Sequence, residues 1–265
     1  MTIRVGVLGA GGRMGRKVTA AVIEAGLKIG AAVDREGSAE FGHDAGIVAG
    51  IGALGAPIGE NLAGVLKRCD VVIDFTTPAA TAINAALCAE ALVPMVIGTT
   101  GVEGDAKAAV AAAAKKIPIV HAANFSIGVN ALLAVVAELA KKLEGYDMEV
   151  VEIHHRKKVD APSGTALRLA QAAAEGRGQD LAKIAKNGRE GQVGARPDAE
   201  LGLHAVRGGD VIGDHTVYFL GPGERVEVTH RAHSRDTFAN GAVRAAKWII
   251  GKKPGLYEMR DVLEL

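Results

Sequence analysis

The sequence predicts an α/β protein in two parts: an N-terminal domain on a parallel sheet, and a second α+β domain on an antiparallel or mixed sheet. Three observations predict it. Short apolar runs alternate with alanine-rich helical stretches up to about residue 125. Beyond that point, β-rich runs follow one another with only short turns between them. With 265 residues and 49% hydrophobic content, the chain has enough apolar material for one large domain or for two modest ones, each with its own core.

Ile3 to Leu8 is a short apolar run with β-branched residues, ended by glycines, and reads as the first strand. Met14 to Ala25 follows with apolar Met14, Val18, Ala21, Val22 and Ala25 on one helical face. Lys28 to Val33 reads as a second strand, and Val71 to Phe75, Pro94 to Gly98 and Ile117 to His121 as further buried ones. Helices are expected near 78 to 92 and 103 to 115, while the Gly-rich segment 35 to 59 has no clear period. Strands linked by helices imply a parallel sheet covered on both faces. In the second part, Val129 to Leu143 is a long apolar helix and Met148 to His155 a strand. Residues 201 to 207, 211 to 220 and 224 to 231 are β-rich, with Gly221-Pro222-Gly223 as a tight connection. The polar, Gly-rich segment 176 to 199 is expected to be a mobile loop, and Thr237 to Ile250 a final helix.

Charge and composition exclude several classes. Lys and Arg number 31 against 30 acidic residues, a net charge of +1. That balance argues against nucleic acid or a membrane surface as a partner. Cys69 and Cys88 form no CxxC pair and no zinc pattern with nearby histidines, so no metal is expected and both read as small buried apolar residues. The N-terminus enters a strand at once, without a signal-type apolar region, which gives the expectation of a cytoplasmic protein.

"GVLGAGGRMG" places Gly9, Gly11, Gly12 and Gly15 between the first strand and the first helix. Glycines there allow a tight turn and let backbone N–H groups approach a pyrophosphate at a helix N-terminus. Read from Gly9 the spacing is GxxGxxG, so context has to support it. A strand precedes, a helix follows, and Asp34 closes the second strand about 20 residues on. The domain is therefore expected to be of Rossmann type and to bind a dinucleotide. Asp34 is placed to accept from an adenine-ribose hydroxyl, which favours NADH. Its neighbour Arg35 is placed either to meet the 2′-phosphate of NADPH or to be a solvated charge. "DFTTP", "GTTG" and "HAANFS" lie at the carboxyl ends of later strands. There, Thr99, Thr100 and the backbone around Ala122 to Phe125 either line a nicotinamide crevice or serve turn chemistry.

The second constellation is "VEIHHRKKVDAPSGTA", residues 151 to 166. Strand alternation puts Glu152 and His154 on one face and Ile153 and His155 on the other. Lys158 lies in the turn beyond, and Ser163-Gly164-Thr165 opens a helix whose N–H groups favour a carboxylate. A titrating imidazole, an ammonium and a carboxylate seat within a dozen residues suit a reductase of a small dianion. A dehydrogenase of another acid and a non-enzymatic NAD(P)H sensor are the alternatives; the dianion pocket argues against the sensor.

Together, "GAGGRMGR", "DFTTP", "GTTG", "AANFSIGVN", "HHRKKVDAPSGTA", "RGGDVIGDHTVYF" and "FANGAVRAAKW" resemble the 4-hydroxy-tetrahydrodipicolinate (dihydrodipicolinate) reductase family over nearly the whole chain. The resemblance implies a dinucleotide-binding domain of residues 1 to 125 plus 235 to 265, and a substrate and oligomerisation domain of 126 to 234. It implies NADH- or NADPH-dependent reduction of a small dicarboxylate in lysine and diaminopimelate biosynthesis, by a homotetramer. By the same resemblance, His154 is the acid/base residue, Lys158 a proton donor, and His155 a substrate contact, while Ser163, Gly164 and Thr165 hold a carboxylate. The nucleotide falls to Gly9, Ala10, Gly11, Gly12, Arg13 and Met14, to Asp34 and Arg35, to Gly98, Thr99 and Thr100, and to Ala122, Ala123, Asn124 and Phe125. Asp34 is shorter than the glutamate of many relatives, so the balance of NADH and NADPH stays open.

Overall fold

A computed structural model describes residues 2–265. The chain divides into two compact units: residues up to Ile127 with Asp236–Glu264, and Gly128–Arg235 with Leu265.

In the first unit, β1 (Arg4–Leu8) leads through a glycine turn into α1 (Arg13–Glu24), then β2 (Lys28–Val33). The segment without a clear period holds α2 (Ala45–Ala49) and β3 (Ile58–Gly59). One carboxylate organises it, since Asp44 accepts from the amides of Gly46, Ile47, Leu54 and Ala56. Then come α3 (Leu62–Val65), β4 (Val71–Asp74), α4 (Pro78–Ala91), β5 (Met95–Ile97), α5 (Gly104–Ala113) and β6 (Pro118–His121).

The second unit begins within α6 (Ile127–Lys142) and continues with β7 (Asp147–His154), α7 (Gly164–Gly176), α8 (Leu181–Ile184), β8 (Ala185–Asn187), β9 (Leu201–Arg207), β10 (Asp214–Gly221) and β11 (Glu224–Arg231). The chain returns to the first unit as α9 (Asp236–Trp248), β12 (Gly255–Tyr257) and α10 (Met259–Leu263). The last strand and helix are too short to show a period, and only the long helix before them is predicted.

The first sheet has seven strands in the order β12-β6-β5-β4-β1-β2-β3. Its pairings are parallel, and the order is that of a doubly wound Rossmann sheet. Successive side chains feed opposite cores. Val5, Val7, Ile73, Val96 and Val120 join α1 and α9 on one face. Leu8, Val72, Met95, Ile97 and Ile119 join α4 and α5 on the other. Such two-sided burial is why these strands read as continuous apolar runs. Cys69 and Cys88 are buried in the second of these cores, where burial pushes their thiols up to about 11 and about 12.

The second sheet is mixed, with five strands in the order β11-β10-β7-β9-β8. Along β7, Met148, Val150, Glu152 and His154 are the buried positions. Residues 176–199, expected to be mobile, contain the end of α7, α8 and β8 and are fastened by ion pairs. Arg189 and Arg196 both reach Glu149 of β7, at 2.6 and 3.1 Å, and Arg196 also reaches Asp147 at 2.7 Å. The polarity of this stretch reflects those anchors.

Candidate active site

In the first unit, the glycine turn behaves partly as the sequence predicts. Gly9 has φ +72°, a left-handed conformation that glycine adopts without strain. A Cβ on Gly15 would lie 2.0 Å from the Gly9 carbonyl oxygen, so only glycine lets α1 approach the turn. Yet the glycine amides are turned inward. Gly9 and Ala10 donate to the Val33 carbonyl at 2.8 and 3.1 Å, and Gly12 to the Gly9 carbonyl at 2.9 Å. Gly11 donates to Asp34 Oδ2 at 2.7 Å, while Asp34 Oδ1 accepts from the Arg35 amide at 2.8 Å. Beyond the turn, Arg13, Met14 and Gly15 form the first turn of α1, whose N–H groups have no acceptor within the helix. That end has no side-chain cap and no acidic residue in its first turn, so the helix itself supplies no negative charge against the positive end of its dipole.

The strand-end loops divide similarly. Gly98 is required by packing, because a Cβ there would lie 2.1 Å from the Phe75 ring. Thr99 is buried, and its hydroxyl is engaged internally by Thr81 at 2.8 Å and the Thr76 amide at 3.1 Å. Phe125 is also buried, edge-on to Phe75 at 5.9 Å between centroids. The side chains of Thr99 and Phe125 therefore shape the loops, whereas Thr100 and Ala123 are exposed and Ala122 is buried. Asn124 Oδ1 accepts from the Ser126 amide at 2.8 Å. Asp74, unremarked in the sequence beyond its motif, is fully buried. Burial raises its carboxyl above the ordinary value, against hydrogen bonds from Thr76 and Asn84. It ties together the loops after β4 and β5.

In the second unit, His154 ends β7, with Arg207 opposite it in the parallel register of β9. Its Nδ1 meets Glu152 Oε2 at 2.5 Å, as the shared strand face allows. With Nδ1 committed to the carboxylate, Nε2 is the ring nitrogen left for chemistry; Gly213 lies beside it, where a Cβ would come within 3.0 Å. Burial lowers the proton affinity of His154. Glu152 opposes that, while Lys158 and Arg207 add to it, and the net value lies below the ordinary 6.5.

Lys158 Nζ is held by both oxygens of Asp160, at 2.8 and 2.9 Å. His155 is half-buried, and its amide donates to Val211 O at 2.7 Å. Ser163 caps α7, its Oγ accepting from the Ala166 amide at 3.2 Å. The Ser163 amide donates to Glu152 Oε1 at 2.9 Å, so it is not available to a ligand carboxylate, contrary to its expected use. Gly164 is exposed and Thr165 half-buried at the start of α7.

Sequence reasoning missed His215 of β10. It is buried, edge-on to His154 at 5.1 Å, with Nε2 3.2 Å from Ser163 Oγ. Burial, and then the neighbouring His154, push it down to about 4, so it is neutral at physiological pH. A signal existed in the quoted "GDHTVYF", where alternation puts the histidine on the face of Val217 and Phe219.

A dihydrodipicolinate reductase N-terminal model matches residues 3–125, and the C-terminal model of the same enzyme matches residues 128–263. The chain belongs to the dihydrodipicolinate reductase family. It is 53% identical to a 4-hydroxy-tetrahydrodipicolinate reductase of Acinetobacter baumannii over 99% of this chain and 96% of that one. The enzyme of the same name from Trichlorobacter lovleyi is 49% identical, over 99% of both chains. Among solved structures, a dipicolinate-bound dihydrodipicolinate reductase from Paenisporosarcina sp. TG-14 superposes with a TM-score of 0.75. It shares 27% identity and covers 97% of this chain and 98% of that one. The first unit's glycine turn fits the dinucleotide of such a reductase: a Cβ would fill the approach at Gly15, and the uncapped helix start favours a pyrophosphate. Among the described residues, no helix is long and apolar enough to cross a membrane.

Proposed function

We propose that this chain catalyses the NADH- or NADPH-dependent reduction of 4-hydroxy-tetrahydrodipicolinate to tetrahydrodipicolinate, with loss of water, in lysine and diaminopimelate biosynthesis. The observation that carries this reading is the match of both family models across the chain, joined to the imidazole–carboxylate pair at His154. Residues 1 to 125 with 235 to 265 are assigned to the dinucleotide, and residues 126 to 234 to the substrate and to assembly as a cytoplasmic homotetramer.

When bound, the nicotinamide supplies a hydride. The Arg13 and Met14 amides would face the pyrophosphate, with Gly9 to Gly12 shaping the turn. Asp34 retains lone pairs for a ribose hydroxyl beside its bond to Gly11, and Arg35 is exposed nearby. Gly98, Thr100 and the Ala122 to Asn124 backbone would line the nicotinamide end, with Thr99 and Phe125 holding those loops in shape.

In the second unit, His154 Nε2 holds the proton to be delivered. Its proton affinity, lowered by burial, rises when a dianion arrives, because negative charge favours the imidazolium. Lys158 supplies positive charge, and a second proton source, against the negative charge that develops on substrate. His155 is assigned to substrate contact, and the Gly164 and Thr165 amides at the start of α7 to one carboxylate. The deciding assay follows oxidation of NADH and NADPH in parallel with freshly generated 4-hydroxy-tetrahydrodipicolinate. Substrate-dependent oxidation is expected. Nucleotide binding without it would leave a non-enzymatic sensor instead.

A further inference from the structure

We propose that Arg207 and Glu152 form a positioning pair that holds His154, the Lys158 turn and the start of α7 in one arrangement and sets the titration of His154. The proposal rests on the reading of His154 and Lys158 given above.

Glu152 has no exposed surface and is surrounded by donors. Arg207 grips it with both terminal nitrogens, Nη1 to Oε2 at 2.7 Å and Nη2 to Oε1 at 2.8 Å. The Ser163 amide and His154 Nδ1 complete the set, at 2.9 and 2.5 Å. Arg207 then reaches further. Its Nη2 donates to the Asp160 carbonyl at 2.7 Å, and the Asp160 side chain holds Lys158 Nζ. A single ion pair thus fixes the acid through Glu152, the lysine through Asp160, and the first residue of the helix cap through Ser163.

Stability alone does not account for this pair. Buried ion pairs are weak sources of stability, because desolvation offsets the attraction. This one also leaves Arg207 Nε buried without an acceptor. A guanidinium fork suits positioning, since two parallel bonds fix the carboxylate plane and hence the imidazole that it holds.

The groups facing His154 are Glu152 on its own strand, Arg207 on β9, Lys158 with Asp160 in the turn, and neutral His215 on β10, behind which stands His230. Glu152 favours the imidazolium, and Arg207 opposes it. Removing either partner should therefore move His154 in opposite directions, which a purely structural role would not do.

The test is a histidine-labelled NMR titration of the full-length protein, with the His154 ring signal assigned by its loss in His154→Gln. Glu152→Gln should lower the midpoint and Arg207→Gln should raise it, each by at least about one pH unit, a tenfold change in proton affinity. Arg207→Lys keeps the charge but not the fork. It should titrate near wild type, yet bind pyridine-2,6-dicarboxylate at least about tenfold more weakly, because the Asp160 and Glu152 bonds cannot both survive. Circular dichroism melts check that each variant folds; if Arg207→Gln does not, Glu152→Gln and Arg207→Lys decide. Shifts of the same sign, or none, or an Arg207→Lys variant with wild-type affinity, overturn the proposal. Opposite shifts in a protein that fails to reduce the dicarboxylate would leave the pair standing and remove the functional reading.

Discussion

Glu149 offers the sharpest quantitative check on how β7, the strand that carries His154, is held. Its carboxylate receives Arg189 at 2.6 Å, His204 at 2.7 Å and Arg196 at 3.1 Å, and its side chain is only 12% exposed. Gly202 makes room for it, since a Cβ there would lie 1.8 Å from Oε2. Burial alone would raise this acid, but the two arginines and the histidine outweigh burial and hold it at about 2, against an ordinary 4.5. Each tenfold change in proton affinity is worth about 1.4 kcal/mol, so the anchored carboxylate contributes on the order of 3 kcal/mol at neutral pH. Because the folded value lies below the unfolded one, this stability is fully present above about pH 4.5 and is lost as pH falls through about 2. Glu149→Gln keeps the shape and removes the charge. Equilibrium urea unfolding should show a wild-type advantage of roughly 3 kcal/mol at pH 7 and pH 5, shrinking steadily below pH 4.5. A gap that stays constant from pH 7 to pH 2, or no gap at pH 7, would refute the electrostatic reasoning.

Two further outcomes concern the sites directly. Gly15→Ala brings a Cβ to 2.0 Å from backbone that has no side-chain freedom to yield. NADH fluorescence titration should show at least about tenfold weaker binding, with a stability loss of about 1–3 kcal/mol, and unchanged affinity would count against this turn as the nucleotide site. Lys158→Ala should lower kcat and raise KM for the dicarboxylate together. If steady-state kinetics leave both intact, Lys158 is only the ion-pair partner of Asp160.

Much of the fold is legible in the sequence for a physical reason. Strands buried on both faces must be apolar throughout, so the runs of the first sheet stand out, and alternation along β7 places Glu152 beside His154 without further information. What escapes is chemistry set by partners distant in the chain. Arg207 meets Glu152 only because β9 pairs in parallel with β7, a pairing no local pattern announces. Asp44 gathers four amides from both ends of a loop, so the segment it organises has no period of its own. Glycine spacing finds the turn at residues 9 to 12, yet it does not reveal that the Val33 carbonyl and the Asp34 carboxylate take most of its amides. The Ser163 amide is a similar case. Its place at a helix start suggests a ligand seat, while the buried Glu152 facing it makes it part of the scaffold.

The central claim is that His154 delivers the proton when the dicarboxylate is reduced, and His154→Gln tests it most directly. Substrate-dependent NADH oxidation should fall by about 10²–10⁴ in kcat, the usual loss on removing a general acid. Fluorescence-measured NADH affinity should stay within about twofold of wild type, since the substitution only removes a proton-transfer group. A variant that turns over at nearly the wild-type rate would contradict the claim.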